Sequence, residues 1–167
     1  MKLEELNTLS EEDAFAELFK CCGSTNWANL LSAARPFRSI VQLLAASDKI
    51  WLSCTSEDAL EAFSHHPKIG DLKNIEKTFA ATSAWAGGEQ AGVNHADKQT
   101  LMALAKGNED YALRFGYIFI VCASGKTASE MLGLLQARIY NDKNAELEIA
   151  RAEQNKITHL RIEKLLA

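Results

Sequence analysis

The sequence predicts an all-α domain. Apolar residues recur at three- and four-residue intervals through most of the chain, and capping residues stand where these runs begin. The one strand-like run, "YIFIVC", has no second strand to pair with. A length of 167 residues suits one domain, 1–167, with a proper core and leaves too little for two ordinary ones.

The elements follow in order. Ser10 precedes "EEDAFAELFKCCG", with Asp13 three residues on, apolar positions at Ala14, Phe15, Leu18, Phe19 and Cys22, and Gly23 as the stop. A shorter helix is expected from Trp27 through Leu30 and Leu31. Pro36 then breaks the chain, and "FRSIVQLLAASDKIWLSC" reads as a third, largely buried helix. Thr55 or Ser56 can cap "SEDALEAFSHH", whose Leu60 and Phe63 are expected to face inward. Pro67 ends it, because the proline ring disfavours α geometry at the residue before it.

The Gly/Ala/Ser-rich stretch "FAATSAWAGGEQAGV" has the most loop-like composition in the chain. "DKQTLMALAKGN" and "NEDYALRFG" read as two more helices, with stops or caps at Gly107, Asn108 and Gly116. "YIFIVC" suits a buried strand or a buried helix, and the missing partner strand favours helix. Thr127 and Glu130 form a capping box for "ASEMLGLLQARIYN", and a last long helix is expected from about Asn144 to the end.

Composition excludes several classes. Asp and Glu outnumber Lys and Arg, 22 to 18, for a net charge of −4, whereas nucleic-acid binding needs a dense basic surface. No apolar run reaches the roughly 20 residues that cross a bilayer, and the acidic, amphipathic start "MKLEELNTLSEED" is unlike a secretory signal. The ending "EKLLA" is not the peroxisomal S-K-L type, which leaves the cytoplasm as the expected location. Cys21, Cys22, Cys54 and Cys122 show neither a CxxC pair nor a disulfide framework, and read as reduced core thiols.

The chemistry gathers at three places. His66 stands where helical hydrogen bonding must break, so its imidazole can project past the helix end and exchange protons near neutral pH. In "GGEQ", Gly87 and Gly88 permit close backbone approach to a ligand, Glu89 can hydrogen-bond an imidazole or substrate, and Gln90 offers an amide donor and acceptor. On the last helix Arg161 shares a row with Ile157 and Leu165, a fixed positive charge suited to an anion. The segment "VCASGKTASE" places small residues before a helix start, where free N–H groups and the helix dipole favour oxyanions or carbonyl oxygens. Together they point to a small anionic, hydrogen-bonding ligand.

Each feature also has an ordinary reading: a C-cap for His66, a plain loop for "GGEQ", an ion pair with a neighbouring Glu for Arg161. "SGKT" lacks the upstream glycine of a P-loop. His65, His66, His95 and His159 lack zinc-ligand spacing, so no metal is expected. Two rivals follow from these readings, a helical interaction module with an exposed apolar patch and a metal-dependent hydrolase sensitive to chelators.

Taken as an ordered set, "HHPKIGD", "GGEQAGV", "RFGYIFIVCASGKTASEML" and "EIARAEQNKITHLRIEKLL" resemble the signature segments of the 2-oxo-4-hydroxy-4-carboxy-5-ureidoimidazoline (OHCU) decarboxylases, over nearly the whole chain. The resemblance implies a compact multi-helix bundle, commonly dimeric, that needs no cofactor. It implies a substrate, OHCU, that is decarboxylated to (S)-allantoin and CO2 after 5-hydroxyisourate hydrolase has acted, and neither nucleic acid nor membrane as partner.

By motif, His66 matches the family's catalytic histidine, regarded as the proton donor, and Pro67 a substrate-contacting neighbour. Glu89 and Gln90 match the acidic and amide residues of its "SxxEQ" element. Ile120, Val121, Cys122, Ala123 and Ser124 match a segment that contacts the ring largely through its backbone, and Arg161 matches a substrate-binding arginine. Ala86 departs from the family serine, so its hydroxyl contact is lost or supplied by Ser83, water or the Gly87 and Gly88 amides. Phe115, Ile118 and Phe119 are expected to form apolar walls.

Overall fold

The computed structural model describes residues 1–66 and 98–167, and the described residues contain helices and no strand. The helices are α1 Leu3–Thr8, α2 Glu11–Cys22, α3 Thr25–Ala33, α4 Ile40–Ser53, α5 Ser56–Ser64, α6 Lys98–Phe115, α7 Ala128–Arg138 and α8 Lys143–Leu165. The chain divides into two compact units, Met1–His65 with Arg151–Ala167, and His66–Ala150.

The first unit is built around α3, which packs against α2, α4 and α5. Its helix starts follow the expected chemistry: Ser10, Ser24, Ser39 and Thr55 each accept a hydrogen bond from the backbone N–H three residues on. Gly23 ends α2 at φ 83°, the left-handed region that side chains disfavour. Leu18, Trp27, Leu31, Leu43, Phe63 and Ile162 are essentially inaccessible to solvent and form the core. The short α1, which its sequence does not announce, gains its end from Arg35, whose Nη1 donates to the carbonyls of Leu6 at 2.6 Å and Leu9 at 2.9 Å. Those are carbonyls at or just beyond a helix C-terminus, where no intrahelical donor remains.

Two expectations about burial here are corrected. α4 is not largely buried: Leu43, Ser47 and Trp51 form its inner stripe, while Val41 is 72% and Leu52 81% exposed. A surface helix buries only the stripe that faces its neighbours, whatever the apolar content of its other faces. On α5, Phe63 does face inward, but Leu60 is exposed and Ala59 and Ala62 take the inner positions. The small alanines let α5 approach α3.

In the second unit α6 packs against α7. The expected break at Gly107 and Asn108 does not occur, and one helix runs to Phe115 and stops at Gly116, φ 84°. Gly107 is a packing residue: a Cβ there would lie 2.7 Å from Leu135 Cδ2. Asn108 is buried and returns its amide to the Leu104 carbonyl at 2.9 Å, so a residue that favours caps is held inside the helix. Thr127 and Glu130 form the expected capping box of α7.

The run 117–123 is the clearest correction. It is neither helix nor strand. Phe119 and Val121 belong to the buried cluster with Leu104, Tyr111, Met131 and Leu135, and Tyr117 and Ala123 pack at its edge. Residues 119–122 are all buried, and the Ile120 and Cys122 carbonyls find side-chain donors instead of a ladder. The four cysteines are free and buried, as expected.

Candidate active site

The end of α5 is held firmly. Glu61 accepts from the Thr25 N–H at 2.8 Å and the Thr25 hydroxyl at 2.6 Å, and Asn26 donates to Asp58 at 3.0 Å. Burial works against the Asp58 charge, but the bonds from Thr55 and Asn26 hold its carboxyl below the ordinary range. Arg151 closes the other end, donating to the carbonyls of Cys54 at 2.9 Å and of Trp51 and Thr55 at 3.1 Å.

His65 is the C-cap of α5, with φ −85° and ψ 0°. Its ring stands edge-on to Phe19, centroids 4.9 Å apart, and its Cβ lies so near Gly23 that a Cβ on that glycine would come within 2.8 Å. His65 is therefore a structural histidine. The next residue, His66, is partly buried at a bend beyond the helix end. Pro67, Ala86, Gly87, Gly88, Glu89 and Gln90 lie outside the described residues, as does the stretch "FAATSAWAGGEQAGV".

The second unit carries Ile120–Ser124. Ile120, Val121 and Cys122 are buried, Ala123 is partly so, and Ser124 is exposed. Three carbonyls of this strip are occupied: Ile120 O accepts from Arg138 Nη1 at 2.9 Å, Cys122 O from Lys126 Nζ at 2.9 Å, and Ala123 O from the Lys126 N–H at 3.1 Å. Among the described residues none accepts from the amides of Val121 or Ala123. Carbonyls tied back and amides left over make a backbone that donates, which is the property an anionic or carbonyl-bearing ligand needs. The strip runs directly into the turn at Gly125, φ 73°, and the capped start of α7.

Arg138 and Glu146 were not singled out by sequence reasoning. Glu146 is completely buried and Arg138 nearly so; Arg138 Nε and Nη2 lie 2.8 and 2.6 Å from Glu146 Oε1. Asn141 donates to Oε2 at 2.7 Å, and the Tyr111 hydroxyl donates to Oε1. Burial, then the carboxylate beside it, push the Tyr111 phenol far up, so it stays a donor. The guanidinium also lies 4.6 Å from the centre of the Phe119 ring. The signal that could have found this group is a charge at the fourth place of the row Ala128, Met131, Leu135, Arg138, whose first three members are apolar core. Phe119 is itself core, 3% exposed, and Phe115 packs at the edge of the same cluster, whereas Ile118 is only half-buried.

Arg161, in the first unit, is partly buried and flanks the buried stripe Gln154, Thr158 and Ile162 of α8. Its row with Ile157 and Leu165 is thus half-exposed. Nη1 donates to the Cys21 carbonyl at 3.3 Å, and among the described residues no carboxylate pairs with it. The ordinary reading of Arg161 as an ion-pair partner therefore finds no described carboxylate to support it. No cluster of three metal-ligating side chains occurs among the described residues, and no described helix is long and apolar enough to cross a membrane.

Known proteins supply the context. The sequence pattern of the OHCU decarboxylases matches residues 7–163. The uric acid degradation bifunctional protein TTL of Arabidopsis thaliana is 41% identical over 150 residues, 88% of this chain and 45% of that protein. The chain thus spans less than half the length of this bifunctional relative. The 2-oxo-4-hydroxy-4-carboxy-5-ureidoimidazoline decarboxylase of Xenopus laevis is 26% identical over 167 residues, 97% of this chain and 93% of that one. A crystal structure of OHCU decarboxylase in the presence of (S)-allantoin superposes with a TM-score of 0.75 at 36% identity, covering 95% of this chain and 99% of the other. A family pattern that covers residues 7–163, together with the shared helical fold, places the chain in the OHCU decarboxylase family.

Proposed function

We propose that this protein decarboxylates OHCU to (S)-allantoin and CO2, without cofactor or metal. The observation that carries the reading is the match to the family over residues 7–163; the donor backbone of the strip supports it.

In OHCU the departing carboxylate sits on a carbon next to a ring C=N. When the C–CO2 bond breaks, its electron pair moves onto that nitrogen, so the substrate is its own electron sink and no pyridoxal or thiamine is required. The hydroxyl on the carbon that lost CO2 then gives up its proton and becomes the ring carbonyl, the ring nitrogen takes up a proton, and a proton must reach the neighbouring, ureido-bearing carbon from one face. His66 is the proposed donor of that proton, and its fixed place beyond α5 sets the face and hence the S product. Glu89 positions substrate or imidazole and helps move the substrate hydroxyl proton. Pro67, Ala86, Gly87, Gly88 and Gln90 complete the contacts, the Ile120–Ser124 backbone binds the ring, and Arg161 pairs with an anionic group of the substrate. The chain works as one domain, in a cytoplasmic homodimer, in this reading.

The test is circular dichroism at an allantoin band while urate oxidase and hydroxyisourate hydrolase generate OHCU in situ. The protein is expected to speed the appearance of optically active allantoin, and His66→Ala to lower the rate at least 100-fold, within the range of general acid catalysis of about 10²–10⁴. An optical signal that merely tracks spontaneous decay, or a His66→Ala variant with full rate and stereoselectivity, sinks the assignment.

A further inference from the structure

We propose that Arg138 is a positioning residue of this enzyme: it tethers the Ile120 carbonyl, with Glu146 as its counter-ion, and so presets the Val121 and Ala123 amides to receive negative charge. This inference rests on the proposed function for what the strip binds, but the tether itself is a property of the unliganded chain.

Three observations carry it. The first is the cost of the pair. Arg138 and Glu146 are almost wholly excluded from solvent, and well-packed apolar side chains of similar size often serve stability as well or better in such a place. A pair kept there calls for a task besides holding α7 to α8. The second is how the guanidinium is shared. Nε donates to one carboxylate oxygen, with Nη2 only at ion-pair distance from the same oxygen, while Nη1 turns away to the Ile120 carbonyl at 2.9 Å. The planar fork reaches both from separate nitrogens in fixed directions, whereas a lysine ammonium presents one nitrogen that would have to lie within reach of both. The third is where the tether acts. Phe119 lies against the guanidinium and Ile120 is bonded to it, so two successive residues are fixed just before the strip, and the Lys126 bonds to Cys122 and Ala123 carbonyls fix its other end.

A strip with no ladder depends on side-chain packing and on bonds such as these to hold its peptide planes. With both ends fixed, the Val121 and Ala123 amides keep one direction before ligand arrives. Donors oriented in advance need no reorganisation when charge develops in the transition state, and that lowers the barrier to the chemical step rather than merely tightening binding. The remaining partners serve Arg138: Tyr111 and Asn141 satisfy the Glu146 carboxylate, so that carboxylate holds its place and the guanidinium its orientation.

The experiment compares wild type with Arg138→Lys and with the double variant Arg138→Met, Glu146→Leu, which replaces the pair by apolar bulk and is expected to fold. Backbone ¹⁵N relaxation is read on the unliganded proteins and OHCU turnover on the same samples. Order parameters of Val121–Ser124 are expected to fall from about 0.85, the rigid range, to below about 0.6 in both variants, with α6 and α7 unchanged. In turnover, kcat is expected to fall at least tenfold with KM altered less than threefold. Unchanged order parameters in the strip overturn the proposal, as does unchanged kcat in a folded variant, including one whose KM alone has risen. If the wild type itself does not turn over OHCU, the functional reading falls and the tether is judged on relaxation alone.

Discussion

Gly107 and Arg138 illustrate how much a single position depends on what faces it. Alanine in place of a helical glycine ordinarily gains up to about 1 kcal/mol of helix propensity. At 107 the added methyl meets Leu135 Cδ2 at 2.7 Å and Cδ1 at 3.3 Å, and Leu135 is buried with little room to yield. Overpacking of this kind costs about 1–3 kcal/mol. Gly107→Ala is therefore expected to destabilise the protein by about 1 kcal/mol, and an unfolding midpoint in urea at or above that of wild type would refute the packing role. Nothing in the sequence separates this glycine from a helix stop, since both readings need only a missing Cβ. Gly23 and Gly116, by contrast, were legible, because each follows the last residue of an amphipathic run.

Among the helices, α7 connects the strip to the buried pair. Its start rests on the Thr127 hydroxyl, which accepts from the Glu130 N–H at 3.2 Å, while the Glu130 carboxylate accepts from the Thr127 N–H at 2.7 Å. That second bond holds the Glu130 carboxyl below its ordinary range. Thr127→Ala is expected to cost about 1 kcal/mol, the usual worth of an N-cap, measured by thermal or urea unfolding; a loss below a few tenths would show that the turn at Gly125 sets the helix start without it. Capping boxes are read reliably from sequence because donor, acceptor and spacing are all local. The run "YIFIVC" was read as helix for lack of a partner strand, and took a third course. Its Cys122 carbonyl is met by the nearby Lys126, but its Ile120 carbonyl by Arg138, whose distance along the chain no periodicity reports.

For the molecule as a whole, the buried thiols set a limit on the alkaline side. Burial pushes Cys21 and Cys54 up to about 11 and Cys22 up to about 12, from an ordinary value near 9.0. The folded chain thus holds protons that the unfolded chain releases. The corresponding stability is fully present below about pH 9 and is lost as the pH rises through about 11 to 12. The urea midpoint is expected to fall over that window, with a smaller fall for Cys22→Ala, and a midpoint flat to pH 11 would contradict it. Raised thiols also agree with cysteines that serve as core packing, as their spacing suggested.

The amino-acid order alone was enough for the all-α class, the caps at Ser10, Thr55 and Thr127, the reduced state of the thiols and, through motifs in fixed succession, the family. These are local or additive properties, set by side chains within a turn of one another or by composition. Folding was needed to show which face of α4 and α5 is buried, that Gly107 packs instead of stopping a helix, and that His65 is held by Phe19 and Gly23 while His66 stands beyond the helix end. It was needed above all for the Arg138–Glu146 pair and the strip bonded to it at Ile120. Such features join residues from separate helices, and their energies come from burial and from partners met only once the chain has closed upon itself.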